Sequence, residues 1–372
     1  MKNIKIIAMI MALCMLATLI ACTNEQPDGT PTGTSEEVTT TKKEEVTTAE
    51  KEEVTTADPN EGEGEGEGEG EGEGEGEGEG EGGGTTVEPK YSWATEGGDG
   101  TEASPLIINQ TNFAAFYEYY IKGGWNGFSD PNEFFKLGSD IVVNQGDAAT
   151  WETTAPAIAY NAPLAEFMGT FDGDGHSISG LYIKVNDGRA ALFNQVEAGA
   201  VVKNVRIINS YFEVTVSDVN NQWNYNSAGS IAGRLLGNIE NCYSNAIIKC
   251  DLPNPIEIMV GGIVGMINNT DAKVIGCEFE GTIKCSAVIK AGGIVGKING
   301  GKQNVAIENC VNKGTVTGNP AGGIIGKNEG TNTLLKNCKN EGTVTGTLSG
   351  DLIGDNTGHE NDTTIENEET QA

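Results

Sequence analysis

The sequence predicts an all-β protein built as a β-solenoid, and three observations predict it. The first is a glycine-rich element: Gly-Ser-Ile-Ala-Gly at 229–233, Gly-Gly-Ile-Val-Gly at 261–265 and 292–296, Gly-Gly-Ile-Ile-Gly at 322–326 and Gly-Asp-Leu-Ile-Gly at 350–354. Its closing glycines, Gly233, Gly265, Gly296, Gly326 and Gly354, step by 32, 31, 30 and 28 residues. The second is a short apolar element between them, seen at Val202-Lys203-Asn204-Val205, Ile239-Glu240-Asn241-Cys242, Val274-Ile275-Gly276-Cys277, Ile307-Glu308-Asn309-Cys310 and Leu335-Lys336-Asn337-Cys338. The third is a β-branched element following it, as at Thr315-Val316-Thr317-Gly318 and Thr343-Val344-Thr345-Gly346. Three short strands in a unit of about 30 residues describe one coil of a solenoid, in which each coil covers only its neighbours. No unit holds the helical stretch that a βαβ crossover needs.

The chain opens differently. Lys2 and Lys5 precede an apolar run from Ile6 to Ala21, sixteen residues that suit a signal segment and fall short of the ~20 needed to span a bilayer. The run closes on Leu19-Ile20-Ala21-Cys22, which resembles the lipobox of bacterial lipoproteins. That resemblance implies diacylglyceryl transfer to Cys22, cleavage before it, and an anchor in membrane lipid on the extracytoplasmic face.

From 23 to 90 the composition changes. Glu-Glu-Val-Thr-Thr recurs at 36–40, 44–48 and 52–56, followed by eleven Glu-Gly pairs over 61–82. Alternating glycine removes helix propensity, and like charges repel without apolar surface to offset chain entropy, so this reads as an extended, disordered stalk. A diffuse line of carboxylates lacks the converging oxygens of a calcium site.

Residues 91–200 read as an N-terminal cap with the first solenoid strands. Phe113, Phe116, Tyr117, Tyr120 and Ile121 form a helical stripe after a candidate N-cap at Thr111, and this short helix is expected to close the open end of the solenoid. Residues 201–354 hold the repeats, and 355–372, with six acids and no base, read as a disordered tail.

In the second repeated element the apolar residues stand three apart, so both face inward only if the intervening residue bends the chain. That residue is Asn204, Asn241, Gly276, Asn309 or Asn337, the two types that best tolerate left-handed backbone. A left-handed corner is therefore expected in every coil. Cys242, Cys277, Cys310 and Cys338 occupy the place of Val205, so they read as small core residues. In-register stacking near the ~4.8 Å strand spacing exceeds the usual Cβ separation of a disulfide, which favours a reduced ladder.

The glycine units resemble the GLUG motif of bacterial surface proteins and of the N-terminal regions of immunoglobulin A1-cleaving metallopeptidases. The likeness extends upstream to Phe167–Ile183 and Gly98–Ile107 and covers about 93–354. It implies a right-handed parallel β-helix at the cell surface, in a family of varied activities.

Chemistry is sparsely signalled. Net charge is −31, with −18 on the stalk, and no Lys/Arg cluster supports nucleic acid as a partner. The two histidines, His176 and His359, lie in no zinc-binding pattern, and neither a catalytic residue nor a cofactor is predicted. Asp172-Gly-Asp174-Gly-His176 reads as a glycine-rich turn rather than a calcium loop. Three arginines exist, Arg189, Arg206 and Arg234; Lys203, Arg206 and Arg234 are placeable on successive coils.

The distance from the residue after the corner to the closing glycine shrinks through the five coils as 28, 23, 19, 16 and 16 residues. The excess in the first coil is the polar stretch Val216–Ser227, holding Trp223 and Tyr225. Insertions leave a solenoid as loops, often on its binding face, so these two residues are candidates for sugar or peptide contact; the alternative is that Trp223 covers the first coil. Two functions remain open: a displayed module for adhesion or envelope interaction, binding glycan or a host or envelope protein, and a polysaccharide-active β-helix enzyme.

Changing Cys22 to Ala should abolish lipid labelling and processing before residue 22. A variant labelled and processed like the parent would show that the anchor lies elsewhere.

Overall fold

A computed structural model describes residues 89–122, 130–217, 226–250, 257–286 and 289–367. These form a parallel β-solenoid with one α-helix. Each complete coil visits five sheets in turn. In one coil the strands are Val201–Lys203 (sheet 1), Arg206–Ile208 (sheet 2), Tyr211–Thr215 (sheet 3), Ser227–Ala228 (sheet 4) and Ala232–Leu235 (sheet 5). The next coil begins with Asn238–Glu240, paired in parallel register with Val201–Lys203. The sheets contain nine, seven, six, six and seven strands. Where three strands per coil are expected from sequence, there are five, because strands as short as Tyr243–Ser244 carry no readable period.

Inward residues stack in columns. Sheet 1 contributes Phe171, Val202, Ile239, Val274, Ile307 and Leu335, and sheet 3 contributes Ile183, Phe212, Ile248, Ile283 and Val316, all fully buried. Parallel strands separated by 4.7–4.9 Å make each column a continuous apolar ladder.

Two backbone devices bend the coil. Asn204, Asn241, Gly276, Asn309 and Asn337 have φ of 56°, 52°, 64°, 53° and 53°, so all five second-element corners are left-handed. Their side chains stack along the axis: Asn204 Nδ2 donates to Asp172 Oδ1 (2.9 Å), and Asn337 Nδ2 to Asn309 Oδ1 (3.2 Å). A further ladder of left-handed corners precedes sheet 1 at Asp271, Asn304 and Asn332. The glycine-rich element is a different device. It is a tight arch from sheet 4 to sheet 5, in which backbone packs directly on backbone. A Cβ on Gly261 would stand 2.0 Å from the Val264 carbonyl oxygen, and one on Gly296 would stand 2.5 Å from both Gly265 O and Val260 N. The closing glycines Gly233, Gly265, Gly296, Gly326 and Gly354 all face neighbours at 2.5–2.6 Å.

The N-terminal end is sealed by helix α1, Phe113–Lys122, whose Phe113, Phe116, Tyr117 and Tyr120 are buried. Trp93, Phe116, Tyr120 and Phe135 pack ring against ring there, with Trp93 and Phe116 centroids 5.0 Å apart. The cap residue is Asn112 rather than Thr111: Phe116 N bonds to Asn112 O, while the Thr111 hydroxyl bonds to Asn109 and Glu96. Lys90, assigned above to the stalk, pairs with Glu133 at 2.9 Å and belongs to the cap. Trp151 covers the outward tyrosines of sheet 3, Tyr182 and Tyr211, which stack at 5.4 Å.

Residues 355–367 correct the expectation of a disordered tail. Ile353–Asp355 is the last strand of sheet 5, and Thr363–Glu366 extends sheet 1 by pairing with Thr333–Lys336. The strand Thr333–Lys336 would otherwise present an unpaired edge. Thr363 Oγ1 also meets Asn328 and Asn356, and Glu366 stays exposed, so its charge does not oppose pairing.

Asn309→Gly should be nearly neutral, as Gly276 already holds the equivalent corner. Asn309→Val should cost about 1–3 kcal/mol through left-handed strain. Thermal denaturation of both variants checks this, and equal melting temperatures would contradict it.

Candidate functional site

The connections between sheets 3 and 4 begin and end along one edge of the solenoid. They run over 187–188, 216–226, 251–258, 286–289, 318–320 and 346–348, so that after the short first one they fall in length toward the C-terminal end. Trp223 and Tyr225 fall in the longest, outside the described residues, and Cys22 also lies outside them. The loop that carries the two aromatics returns at Ser227, whose strand neighbour is Arg189. The candidate loop is therefore rooted beside an arginine.

Below that edge two outward rows run parallel to the axis. In sheet 4 the row is Arg189, Ser227, Met259 and Lys290. In sheet 5 it is Glu166, Gln195, Arg234, Met266, Lys297, Lys327 and Asp355. Toward the C-terminal end every lysine of these rows is neutralised. Glu257 meets Lys290 at 2.6 Å and Lys297 at 2.7 Å; Glu329 meets Lys297 at 2.9 Å and Lys327 at 2.8 Å. Burial opposes ionisation of Glu257, but hydrogen bonds from Lys290 and Lys297 outweigh it and hold the carboxyl at about 2.

The N-terminal end of the same rows is different. Arg189, Glu166 and Asn194 line a concavity of about 270 Å³ with an apolar wall of Ile121, Pro163 and Val185. Arg189 donates to Asn194 Oδ1 at 3.0 Å, its buried Nε has no hydrogen-bond partner, and its stem lies over Gly233. Burial, then the charge of Arg234, lowers its pKa. Burial, then the charge of Glu197, raises that of Glu166. Glu197 is itself hydrogen-bonded by the Gln195 amide. Arg234 meets the Asn268 amide.

The structure does not bring Lys203, Arg206 and Arg234 together. Lys203 closes a sheet 1 strand and pairs with Asp172 at 3.5 Å; Arg206 lies on sheet 2 over the Tyr243 ring at 4.2 Å; Arg234 lies on sheet 5. Sequence reasoning missed Glu166 and the pairing of Arg189 with the site. Each occurs once, and only strand register juxtaposes them. Asp174 and Gly175 have φ of 49° and 80° in a turn, with Asp174 paired to Lys136 and His176 beside Asp140. His359 precedes a short 3-10 turn and lies 3.8 Å from Asp362.

Cys242, Cys277, Cys310 and Cys338 form an axial column of free, buried thiols, with Cys277 N donating to Cys310 Sγ at 3.4 Å. Burial, then the neighbouring thiol, pushes the Cys277 and Cys310 pKa values well up, so these thiols are poor nucleophiles. Cys250 and Cys285 stand in register on neighbouring strands of sheet 3 and are also buried. Among the described residues, no group of three or more His, Cys, Asp or Glu is placed to hold a metal ion, and no helix is long and apolar enough to cross a membrane.

The fold and its lateral rows define a parallel β-solenoid protein. No family model matches the chain. Over 205 residues, 54% of the chain, it is 26% identical to halomucin of Haloquadratum walsbyi, and it covers 2% of that protein. It is also similar to a solved protein from Bacteroides ovatus provisionally designated an immunoglobulin A1 protease. There the identity is 19%, covering 73% of this chain and 86% of that one, with a TM-score of 0.41.

Glu257 generates an acid-sensitive contact. Its folded pKa lies below the ordinary 4.5, so its contribution is present above about 4.5 and is lost as pH falls toward about 2. Discounted for its half-exposed side chain, that contribution is about 1 kcal/mol. Glu257→Gln should lower stability at pH 7 and flatten its decline between pH 4.5 and 2; unchanged pH profiles would refute the contact.

Proposed function

We propose that this chain is a displayed recognition module. Cys22 anchors it in membrane lipid on the extracytoplasmic face, residues 23–90 act as a stalk, and the solenoid presents a lateral surface for adhesion or cell-envelope interaction. Its ligand is a glycan or a host or envelope protein, and it acts without catalysis or a cofactor. The observation that carries this reading is the variation in length of the sheet 3–sheet 4 connections, from 187–188 to 216–226, the longest returning at Ser227 beside Arg189. Loop length varies there while the stacked coils beneath keep strict register, which is how solenoids vary recognition on a constant frame. The similarity to a 205-residue portion of halomucin, a far longer protein, supports a unit that serves as one module among others.

A second reading, a polysaccharide-active β-helix, is favoured by one observation. Glu166 is a partly buried carboxyl with a raised pKa, and Glu197 lies within electrostatic reach, an arrangement that suits a general acid. The two readings differ in product: a catalyst releases new reducing ends from polysaccharide, whereas a recognition module retains the polymer intact.

Replacing Trp223 and Tyr225 together with Ala should weaken binding to cells, mucin or wall glycan at least several-fold with little change in melting temperature. Normal binding would remove the loop as a contact. A loss of several degrees would mean that Trp223 packs on the first coil.

A further inference from the structure

The two outward rows differ along their length in one respect that bears on ligand chemistry. Lys290, Lys297 and Lys327 each have a carboxylate within 3 Å. Arg189 and Arg234 have none within 4.0 Å among the described residues; Arg189 donates to the neutral amide of Asn194, and Arg234 lies against that of Asn268. Charged groups taken partly out of water are ordinarily paired, and two like guanidiniums held close are costly unless something anionic joins them. The cost is expressed in the lowered pKa of Arg189, which follows burial and the neighbouring Arg234. In a chain of net charge −31, such a pair stands against the overall field.

The concavity beside Arg189 has the remaining features of a small ligand site. About 270 Å³ is just under the ~300 Å³ typical of the smallest ligand pockets and suits a single sugar ring better than a larger molecule. Ile121, Pro163 and Val185 offer an apolar wall for the C–H face of a pyranose. Glu166 and Asn194 offer an acceptor and an amide for ring hydroxyls. The planar Arg189 guanidinium on the concavity's lining offers a bidentate fit to a carboxylate.

We propose that the concavity lined by Arg189, Glu166 and Asn194 is a binding site for a uronic-acid residue of an acidic glycan, with the charge of Arg234 acting from beside it. The Arg189 guanidinium takes the sugar carboxylate, with Arg234 adding positive charge nearby, Glu166 and Asn194 take its hydroxyls, and the apolar wall takes its ring face. This assignment names the ligand class for the recognition surface proposed above and rests on that reading.

The test is isothermal titration of the full chain with short galacturonate and glucuronate oligomers, each against its methyl-esterified, uncharged form. The acids should bind at least tenfold more tightly than the esters. Arg189→Gln should reduce acid binding at least tenfold, to the level of the ester, while leaving ester binding and the melting temperature nearly unchanged. Arg234→Gln, which leaves the Gly233 contact intact, should act in the same direction and serves if the first variant is poorly folded. Equal binding of acid and ester, no binding of either acid, or acid binding indifferent to both arginines would overturn the site. Arg189→Gln that loses uronate but still binds mucin or wall glycan would leave the general recognition reading standing without this concavity as its contact. Uronate binding by a chain that binds no cell or wall surface would keep the site and overturn the display reading.

Discussion

Backbone lying directly on backbone, at the arch between sheets 4 and 5, is the contact on which the rest of the solenoid depends. There each coil reverses within five residues, and the carbonyl of one coil sits where a side chain of the next would begin. Gly261 and Gly296 are needed for space rather than for an unusual φ, since neither has a left-handed backbone. Because the arch is so thin, the outward rows of sheets 4 and 5 are brought close, with Arg189 over Gly233 and Glu257 bridging Lys290 and Lys297. The closeness of the two outward rows is thus a consequence of the same contact that closes the coil.

The asparagine corners answer a separate need. Sheets 1 and 2 meet at residues that must turn left-handed while keeping apolar neighbours inward on both sides. Asn satisfies this with a side chain that also bonds along the axis. Gly276 satisfies it without that bond, and a Cβ there would stand 2.4 Å from Asn241 Oδ1. The two devices divide the work: one fixes backbone direction, and the other removes side-chain volume.

That division explains what was legible in the sequence. The corners were readable because Asn and Gly interchange at a fixed place between apolar residues, and that substitution has a local conformational cause. The glycine arches were readable as a repeat, but not as a close contact, since the atoms they approach belong to other strands. Strands such as Ser227–Ala228 left no period to find. The strand Thr363–Glu366 was hidden because its order comes from pairing with Thr333–Lys336, while its own composition is that of a solvated tail. The concavity was illegible for the same reason. Glu166 and Arg189 lie apart in sequence and only the coiling of the chain brings them to one concavity, with Arg234 two strands from Glu166 across Gln195.

The most direct test of this account compares two glycines a few residues apart by chemical denaturation. Gly296→Ala places a methyl 2.5 Å from two backbone atoms of other strands, whereas Gly300→Ala meets nothing closer than 3.7 Å. The account predicts that Gly296→Ala costs about 3 kcal/mol or more, or prevents folding, as overpacking against backbone does. Gly300→Ala should stay within about 0.5 kcal/mol of the parent. Equal stabilities for the two variants would contradict the claim that backbone contact at the arch holds the solenoid together.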